Sequence, residues 1–451
     1  MNNKIPKDIF SIMKILQNSG YEIWFVGGCV PDMIMKRHCN DYDLTTNATP
    51  ETMQNLFQNY GFRFITTGIK HGTISVLCNK NIVEITTYRT ENNYQDHRHP
   101  ETINYTSSLK EDLKRRDFTI NAIAWHPKKG FVDPFHGKED IAKKQIRCVG
   151  NPKKRFEEDA LRILRALRFH CTLHFSIEKQ TKQALQQTSF LLGHMSKERI
   201  RNEFNKMLMG ELPNTLTLLK DVNVLSYILP NYEFLYNHAQ PTPWHCYDIF
   251  THTDIALNHT IAYPLESKLA IIFHDTGKIE CEEIDKQGIA HYRNHALISE
   301  QKAKFYMQNL KYDKKTIQKV CMLIRYHDTF ITPDRVCLRK FLSFFDNNFE
   351  LAKEVLDIQL SDNYAKNLEK VDEKINIIKK GKKLIDIMQR EHDYISLKDL
   401  KLSGKDLISL GFQGKKIKDI LDILYNYVLE DPNRNTKENL LSYIKKESKQ
   451  D

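Results

Sequence analysis

The sequence predicts an α+β protein in which a small mixed-sheet head is followed by a long helical region. Between residue 1 and about residue 140, short extended segments alternate with amphipathic helices. From Asn151 onwards strand patterns nearly vanish, and apolar residues recur at helical spacing. A chain of 451 residues can also form several domains with sizeable cores.

The elements of the head follow one another closely. YEIWFVGG (21–28) predicts a buried strand that ends at a glycine pair, the following PDMIMKR predicts a short helix, and DYDLTT (41–46) predicts a second strand. Residues 50–60 predict another helix, and residues 72–88 predict a β-hairpin. The polar, aperiodic residues 90–108 predict a long loop, which at this length is usually functional.

Two breaks in the helical pattern predict further domain boundaries. Three prolines interrupt the pattern at 229–244, and a lysine-rich KKGKK segment interrupts it at 379–383. The predicted domains are a head at 1–140, a helical neck at 141–228, a helical domain at 229–378, and a helical tail at 379–451.

Composition excludes several classes of protein. Hydrophobic residues make up 41% and charged residues 27% of the chain, which excludes a collagenous or wholly disordered protein. Because the sequence has no apolar run of about 18 residues and no secretion-signal pattern, we expect a cytoplasmic protein without a membrane partner. Nine scattered cysteines without a C-x-x-C pair argue against a disulfide framework and a thiolate zinc site.

Positive charge is concentrated in one part of the chain. The net charge is +10, and residues 101–210 alone hold 22 Lys and Arg against 13 Asp and Glu. A localised cationic surface favours a polyanionic partner such as nucleic acid. Charge alone is equally compatible with solvated lysines on helices.

The segments VGGCVPD and NDYDL hold the first candidate site. Residues two apart on a strand face the same side, so Asp41 and Asp43 could hold two divalent cations for phosphoryl transfer. Gly27 and Gly28 could bring backbone N–H groups against a triphosphate. Glu84 could add a third carboxylate. An exposed acidic strand end, a simple turn and an outward-facing edge-strand Glu are the competing interpretations.

Six segments together resemble the class II CCA-adding tRNA nucleotidyltransferases, relatives of the bacterial poly(A) polymerases in the polymerase-β superfamily. The resemblance covers about the first 210 residues. It implies a polymerase-β-like head followed by helical neck, body and tail, and it makes Asp41 and Asp43 the Mg²⁺ ligands. The segments are VGGCVPD, NDYDLTTNATPE, TGIKHGT, VEITTYRTE, DLKRRDFTINAIAW and EEDALRILRALRF.

The same resemblance assigns nucleotide selection to the last of these segments. On a continuous helix Asp159 and Arg162 are neighbours on one face, and together they can imitate the edge of a pairing base. A solvated, salt-bridged helix face is the competing interpretation. The remaining residues expected to bind nucleotide are Gly27, Gly28, Arg116, Arg165 and Arg168, whereas Asp117 and Asn121 are expected to order the local turn.

Two further features bear on the activity that the resemblance implies. The family usually has Arg where this chain has Pro31, so one phosphate contact is lost unless Lys36 or Arg37 replaces it, and we expect weaker nucleotide affinity. A full loop at 90–108, with Tyr94, Asp96 and Arg98, is typical of family members that add the terminal adenosine. An exposed surface loop is the alternative.

A second group of motifs resembles the HD phosphohydrolase superfamily, in which His, an adjacent His-Asp pair and a distant Asp bind one divalent metal. The motifs are THT at 251–253, FHDTGK at 273–278, HYRNH at 291–295, RYHD at 325–328 and LSDNYA at 360–365. His295 and His327 could hold a second metal or a substrate phosphate. Each histidine alone is equally compatible with an ordinary buried or surface residue. The implied ligands are His252, His274, Asp275 and Asp362.

The predicted function is therefore template-independent addition or repair of the 3′-terminal CCA of tRNA from CTP and ATP, with no DNA partner expected. A poly(A) polymerase and an enzyme adding only the adenosine are close alternatives. A metal phosphohydrolase with a degenerate head and a noncatalytic RNA-binding scaffold are alternatives of other classes. GKK at 414–416, in a segment resembling the tail of Gram-positive-type family members, could contact RNA phosphate.

Overall fold

The predicted α+β class is confirmed in a computed structural model of the chain. The chain divides into two compact units, Met1–Tyr232 and Glu233–Asp451. A seven-stranded sheet lies in the first unit, and the second unit is mainly helical. No helix among the described residues has the length and apolar character needed to cross a bilayer. The residues described by the structure are 5–39, 41–78, 81–94 and 100–447.

The first unit begins with mixed structure and ends with helices. Its strands are β1 (Ile23–Val26), β2 (Tyr42–Thr46), β3 (Arg63–Ile65), β4 (Thr73–Cys78), β5 (Asn81–Thr87), β6 (Arg89–Tyr94), β7 (Pro100–Tyr105), β8 (Ala124–His126), β9 (Gly130–Val132), β10 (Gln145–Ile146) and β11 (Ser176–Ile177). Its helices are α1 (Lys7–Asn18), α2 (Cys29–Ile34), α3 (Pro50–Asn59), α4 (Leu109–Lys114), α5 (Gly137–Ala142), α6 (Pro152–Glu158), α7 (Leu161–Leu173), α8 (Lys179–Thr188), α9 (Lys197–Leu208), α10 (Thr215–Asp221) and α11 (Leu225–Ile228).

The register of the main sheet brings the acidic residues of the head together. The strand order is β3-β4-β5-β2-β1-β8-β9. Strand β2 pairs antiparallel with β1, where Val26 lies opposite Asp43, and parallel with β5, where Asp43 lies beside Glu84. The predicted β4–β5 hairpin is confirmed by antiparallel pairing from Thr73 to Cys78. Two neighbouring strands inside the sheet therefore place their carboxylates side by side.

The prediction of a long loop over 90–108 is wrong for most of that segment. Strands β6 and β7 pair antiparallel, with Arg89 opposite Tyr105 and Thr90 opposite Asn104. Few apolar residues occur in these strands, so the alternating apolar pattern that would have revealed the hairpin is missing. Tyr94 ends β6, whereas Asp96 and Arg98 lie outside the described residues.

The second unit contains two short strands that form a separate ribbon, β12 (Glu282–Ile284) and β13 (Ala290–Tyr292). Its helices are α12 (Ile249–Asn258), α13 (Leu265–Phe273), α14 (His295–Asn309), α15 (Lys314–Tyr326), α16 (Arg335–Ser343), α17 (Phe349–Tyr364), α18 (Leu368–Glu391), α19 (Gly404–Ser409), α20 (Lys415–Glu430) and α21 (Lys437–Glu447).

The boundary expected between 378 and 379 falls inside a single helix. Helix α18 continues through KKGKK without a break. Gly381 lies at a packing position in this helix, where a Cβ atom would lie 2.9 Å from the side chain of Ile331. Beyond this helix the tail has an apolar core of its own, which includes Leu407, Leu424 and Leu440. The division into four domains otherwise remains a prediction.

Candidate functional sites

A cavity of about 950 Å³ in the first unit lies where β1 and β2 meet α2. Asp41 precedes β2, Asp43 lies within it, and Glu84 lies beside Asp43 on β5. All three carboxylates line the cavity, and so do Gly27 and Gly28. The sheet register therefore brings the sequence-predicted acidic residues to one cavity.

The environment of Asp43 disfavours its charged form. Burial, together with the nearby Glu84 and Asp41 carboxylates, raises the pKa of Asp43 to about 6, while Arg116 opposes this shift. A divalent cation would relieve this repulsion, and carboxylate oxygens are ligands that Mg²⁺ prefers. Mg²⁺ typically uses one or two carboxylates and takes its other oxygens from water and substrate phosphates, so the donor set at this cavity fits Mg²⁺.

Gly27 has a structural role that Gly28 does not share. Its φ of +69° is in the left-handed region, and a Cβ atom there would lie 2.6 Å from Oδ2 of Asp43. Gly28 has a helical φ of −62° and no neighbouring atom within 4 Å of a built Cβ. The backbone of Gly27 can therefore pass close to Asp43 only because it carries no side chain.

Three arginines form a cationic wall of the same cavity, and each is held by a carboxylate. Arg116 contacts Asp112 at 3.2 Å, Arg165 contacts Asp117 at 2.7 Å, and Arg168 contacts Glu203 at 2.8 Å. Asp112 and Glu203 were not predicted from the sequence. Asp112 could have been identified from the sequence, because it precedes Arg115 and Arg116 at the spacing of ion pairs along a helix. The arginine wall consists of Arg116, Arg165 and Arg168.

The turn after the wall's first arginine is ordered by two side chains. Oδ1 of Asp117 accepts hydrogen bonds from the backbone N–H of Phe118 at 2.9 Å and from the Asn121 amide at 3.1 Å. Burial opposes ionisation, but Arg165 holds the pKa of Asp117 at about 2. The charged carboxylate thus orients both the turn and one arginine of the wall.

The expectation of one continuous helix through Asp159 and Arg162 is wrong. Asp159 has an extended backbone, φ −142° and ψ 105°, between α6 and α7, and its carboxylate accepts the Leu161 N–H at 3.1 Å. This hydrogen bond competes with helical bonding, so the first helix ends and a second begins. Helical spacing therefore does not describe how these two side chains are placed.

Asp159 and Arg162 also have protein partners of their own. The Asp159 carboxylate lies 3.5 Å from Arg199, and the buried Arg162 pairs with Glu158 at 2.8 Å. Arg162 also donates to the carbonyl of Arg115 at 3.1 Å. Within the described part of the chain, neither side chain lines the cavity that contains Asp41 and Asp43.

Pro31 lies in α2 and lines the cavity, at the position where the resemblance predicts a phosphate-binding Arg. Arg37 also lines the cavity and contacts Asp32 at 3.8 Å. Lys36 is not among the lining residues in the described part of the head. Of the two cations that sequence reasoning offered as substitutes, Arg37 is the better placed.

The second unit brings together the four side chains predicted as an HD-type metal site. His252 comes from α12, His274 and Asp275 directly follow α13, and Asp362 comes from α17. Nε2 of His252 lies 2.9 Å from Oδ1 of Asp362, and Nε2 of His274 lies 3.2 Å from Oδ2 of Asp275. All four are buried, and one ligand atom from each lies within 4.8 Å of the others.

Two buried lysines balance the charge of these carboxylates. Lys278 lies 2.7 Å from Asp275, and Lys366 lies 2.6 Å from Asp362. Burial opposes ionisation, but His274 with Lys278, and Lys366 with His252, hold the pKa of Asp275 and of Asp362 well below the usual range. Both carboxylates are therefore charged and able to bind a cation. A role for these two lysines was not predicted from the sequence.

A cavity of about 720 Å³ opens beside this cluster. Asp275 and Asp362 line it, and the exposed Phe330 and Trp244 contribute aromatic surface. Both cations and carboxylates line its wall. The cations are Lys278, Arg293, Lys366, Lys370 and Lys374, and the carboxylates are those of Asp275, Asp328, Asp362 and Glu373.

Three family models match separate parts of the chain. Residues 23–147 match the model of the poly A polymerase head domain, residues 174–235 that of the RNA and SrmB-binding site of polymerase A, and residues 285–444 that of tRNA nucleotidyltransferase domain 2. Together the three matches span most of both units.

Curated proteins similar to part of this chain are CCA-adding enzymes. Those of Lactobacillus helveticus and a Geobacillus species are 47% identical over 212 residues and 44% identical over 218 residues, or 46% and 48% of this chain. The matches span 52% and 53% of those proteins, so the chain aligns with about half the length of these curated relatives.

Solved structures of CCA-adding enzymes resemble the whole fold. The Bacillus stearothermophilus enzyme in complex with CTP has a TM-score of 0.76 at 26% identity, with 100% of each chain covered. The Thermotoga maritima enzyme complexed with tRNA has a TM-score of 0.59 at 19% identity, with 98% of this chain and 97% of that chain covered. The second likeness concerns the fold alone.

Substituting Ala for Gly27 should destabilise the head by about 2 kcal/mol or more, because the residue combines a left-handed backbone with a close approach to Asp43. Gly28→Ala, with a helical φ and free space, should change the free energy of unfolding by less than about 0.5 kcal/mol. Urea unfolding followed by tryptophan fluorescence measures both values. Equal losses in the two variants would contradict the role assigned to Gly27.

Proposed function

We propose that the chain adds or repairs the 3′-terminal CCA of tRNA, using CTP and ATP without a nucleic-acid template. The observation that carries this proposal is the head cavity, where Asp41, Asp43 and Glu84 face the arginine wall. This arrangement combines oxygen ligands for Mg²⁺ with cations for a triphosphate. The match to the poly A polymerase head domain and the similarity to CCA-adding enzymes support the same reaction.

The proposed reaction is an in-line nucleotidyl transfer. The 3′-hydroxyl oxygen of tRNA forms a bond to the α-phosphorus of the nucleotide, the bond to the bridging oxygen breaks, and pyrophosphate leaves with release of the hydroxyl proton. Asp41 and Asp43 would hold Mg²⁺, which supplies neutralisation of the developing charge. The arginine wall binds and orients the triphosphate, and Gly27 and Gly28 allow it to approach the backbone.

We assign base selection to Asp159 and Arg162, as the resemblance implies, although neither side chain is among the residues that line the head cavity in the described part of the chain. A carboxylate accepts and a guanidinium donates hydrogen bonds, so the pair can read the edges of cytosine and adenine. Both side chains have protein partners in the structure, Arg199 for Asp159 and Glu158 for Arg162. Nucleotide binding must therefore compete with these two ion pairs.

The tRNA partner is assigned to surfaces outside the head cavity. The cationic excess at 101–210, the neck at 141–228 and the tail at 379–451 are the proposed contacts. Duplex RNA is recognised mainly through shape, phosphates and 2′-hydroxyls, so tRNA affinity should fall steeply as salt rises. We infer a cytoplasmic location for this reaction, in keeping with the nine free cysteines.

A second candidate activity belongs to the HD-type cluster. We propose that His252, His274, Asp275 and Asp362 bind a divalent metal and that the adjacent cavity, which Arg293 and Lys370 line, binds a phosphate ester for hydrolysis. The mixed imidazole and carboxylate set suits Mn, Ni, Fe or Mg rather than a tetrahedral thiolate zinc site. The observation in its favour is the convergence of four buried ligands beside that cavity.

Asp43→Asn should reduce incorporation of both CTP and ATP into tRNA lacking its CCA end by about a hundredfold or more, because the neutral amide cannot neutralise cation charge. Glu51→Gln, at an exposed carboxylate in the first turn of α3, should retain wild-type rates. Radiolabelled nucleotide incorporation measures both. Near-normal activity of Asp43→Asn would refute the assignment.

The wild-type arm of the same assay distinguishes the close alternatives. Incorporation of CTP followed by ATP is the expected result for CCA addition. ATP incorporation without CTP would instead identify an adenosine-adding enzyme or a poly(A) polymerase. RNA binding without any incorporation would identify a noncatalytic scaffold.

Pro31→Arg should lower the KM for CTP and for ATP by about tenfold, since a charge-assisted hydrogen bond to phosphate contributes about 1.5 kcal/mol. Pro31→Ala is the matched control, because it removes the ring without adding a charge. Steady-state kinetics on tRNA ending in CC measures the KM for ATP, and tRNA without CCA measures that for CTP. No gain over the Ala variant would place the triphosphate away from this turn.

A further inference from the structure

We propose that Asp112 is a positioning residue for nucleotide binding. It sets Arg116 against the triphosphate and, through Arg115, fixes the base-selecting Arg162, so this inference rests on the nucleotidyl transfer proposed above. Asp112 lies in α4, where the chain passes from β7 to the arginine wall. It is not among the residues that line the head cavity in the described part of the chain, so it acts through the arginines that it holds.

The carboxylate of Asp112 connects α4 to two strands of the head. Oδ1 accepts hydrogen bonds from Nε of Arg115 at 2.9 Å and from the backbone N–H of Arg89, the first residue of β6, at 3.4 Å. Oδ2 accepts one from Nη2 of Arg116 at 3.2 Å and lies 3.2 Å from the hydroxyl of Thr45 in β2. Each oxygen therefore has two partners, and both guanidinium groups are fixed relative to the sheet.

Asp112 is both fully buried and charged. Burial opposes ionisation, but Arg115 and Arg116 hold the pKa of Asp112 below its usual range. A buried carboxylate that stays charged depends on fixed positive partners, because an uncompensated charge away from water is costly. Neutralising Asp112 would therefore release its hold on both arginines.

Arg116 keeps a hydrogen-bond donor for a ligand while Asp112 holds it. Its side chain lines the head cavity, and its Nε is buried without a hydrogen-bond partner among the described residues. Buried polar atoms in native proteins normally have partners, and a guanidinium only donates, so this atom marks a place for an anion. In the proposed reaction that anion is the triphosphate.

The backbone carbonyl of Arg115 extends the network to the residues proposed for base selection. It accepts a hydrogen bond from Nη2 of Arg162 at 3.1 Å and another from Nη1 of Arg155 at 3.3 Å. The side chain of Arg115 is held in turn by Asp112. The place of Arg162 therefore depends on a residue that Asp112 fixes.

Asp112→Asn keeps the size of the side chain and removes its charge. The KM for CTP and for ATP should rise about tenfold, because a displaced Arg116 loses a charge-assisted hydrogen bond to phosphate. The value of kcat should change by less than about threefold. Steady-state kinetics on tRNA without CCA and on tRNA ending in CC measures these constants.

The split between KM and kcat separates positioning from a merely structural role. A loss of stability alone lowers the amount of active enzyme, which lowers the apparent kcat and leaves KM unchanged. Asp140→Asn is the matched control, because Asp140 is another buried carboxylate of the head, paired with Arg147 at 3.2 Å. It should retain the wild-type KM for both nucleotides.

A double-mutant cycle tests whether Asp112 acts through Arg116. Arg116→Gln alone should raise both KM values about tenfold, since it loses the same bond to phosphate. Adding Asp112→Asn should raise them by less than about a further twofold, because residues that act as a unit are not additive. An increase of about a hundredfold, the product of two independent effects, would overturn the route through Arg116.

Competition between CTP and UTP tests the link to Arg162. On tRNA without CCA, the ratio of UTP to CTP incorporation should rise about fivefold in Asp112→Asn, because a loosened Arg162 discriminates less between the bases. The ratio should stay at the wild-type value in Arg116→Gln, which leaves Arg115 in place. An unchanged ratio in Asp112→Asn would overturn the link to base selection.

The remaining outcomes are distinguishable. If Asp112→Asn does not fold, as judged by circular dichroism, Asp112→Glu replaces it. This variant displaces the carboxylate by one methylene and should also raise KM. An unchanged KM in the folded variant would overturn the positioning role and leave the proposed nucleotidyl transfer standing. Absence of any incorporation by the wild-type chain would overturn both.

Discussion

Parallel pairing of β2 with β5 fixes the electrostatics of the head. It sets Asp43 beside Glu84, and burial, together with the Glu84 and Asp41 carboxylates, makes the charged state of Asp43 costly. This cost is lowered by nearby positive charge. Arg116 and Arg165 supply part of it, and a divalent cation bound to the carboxylates would supply the rest.

The cations around this cavity are themselves held in place. Asp112, Asp117 and Glu203 each pair with one arginine of the wall, so the guanidinium groups are oriented before any nucleotide arrives. Preorganised charges stabilise a developing negative charge without reorganisation during the reaction. In the second unit, the charges of the two buried carboxylates are balanced by imidazoles and lysines rather than by arginines. Its nitrogen ligands favour transition metals, whereas the oxygen ligands of the head favour Mg²⁺.

The sequence was sufficient to predict the features that depend on local pattern. The strand-turn-helix around Gly27, the β4–β5 hairpin and the acidic pair at Asp41 and Asp43 follow from periodicity and turn residues. The convergence of His252 with Asp362, 110 positions apart, is not visible in any local pattern and was predicted through the family resemblance.

The features that escaped prediction depend on single hydrogen bonds or on tertiary contacts. A carboxylate bond to the Leu161 N–H ends a helix that apolar spacing alone continues through Asp159. Strands β6 and β7 lack the apolar alternation that identifies a strand. Gly381 allows α18 to pack closely against Ile331 at the place where composition suggested a boundary. The partner Arg199 comes from another helix, so no spacing rule connects it to Asp159, whereas Lys366 lies at i,i+4 spacing from Asp362 and was a signal that local pattern offered. Packing, rather than pattern, determines these positions.

The central claim is that the carboxylates of Asp41 and Asp43 bind the cations that hold a nucleoside triphosphate. Anomalous diffraction from crystals grown with MnCl₂ and a nonhydrolysable CTP analogue tests it most directly. Anomalous peaks are expected in contact with both carboxylates and with phosphate oxygens, and the triphosphate is expected to extend toward Arg116. An ordered triphosphate with no anomalous peak at Asp41 or Asp43 would contradict the account.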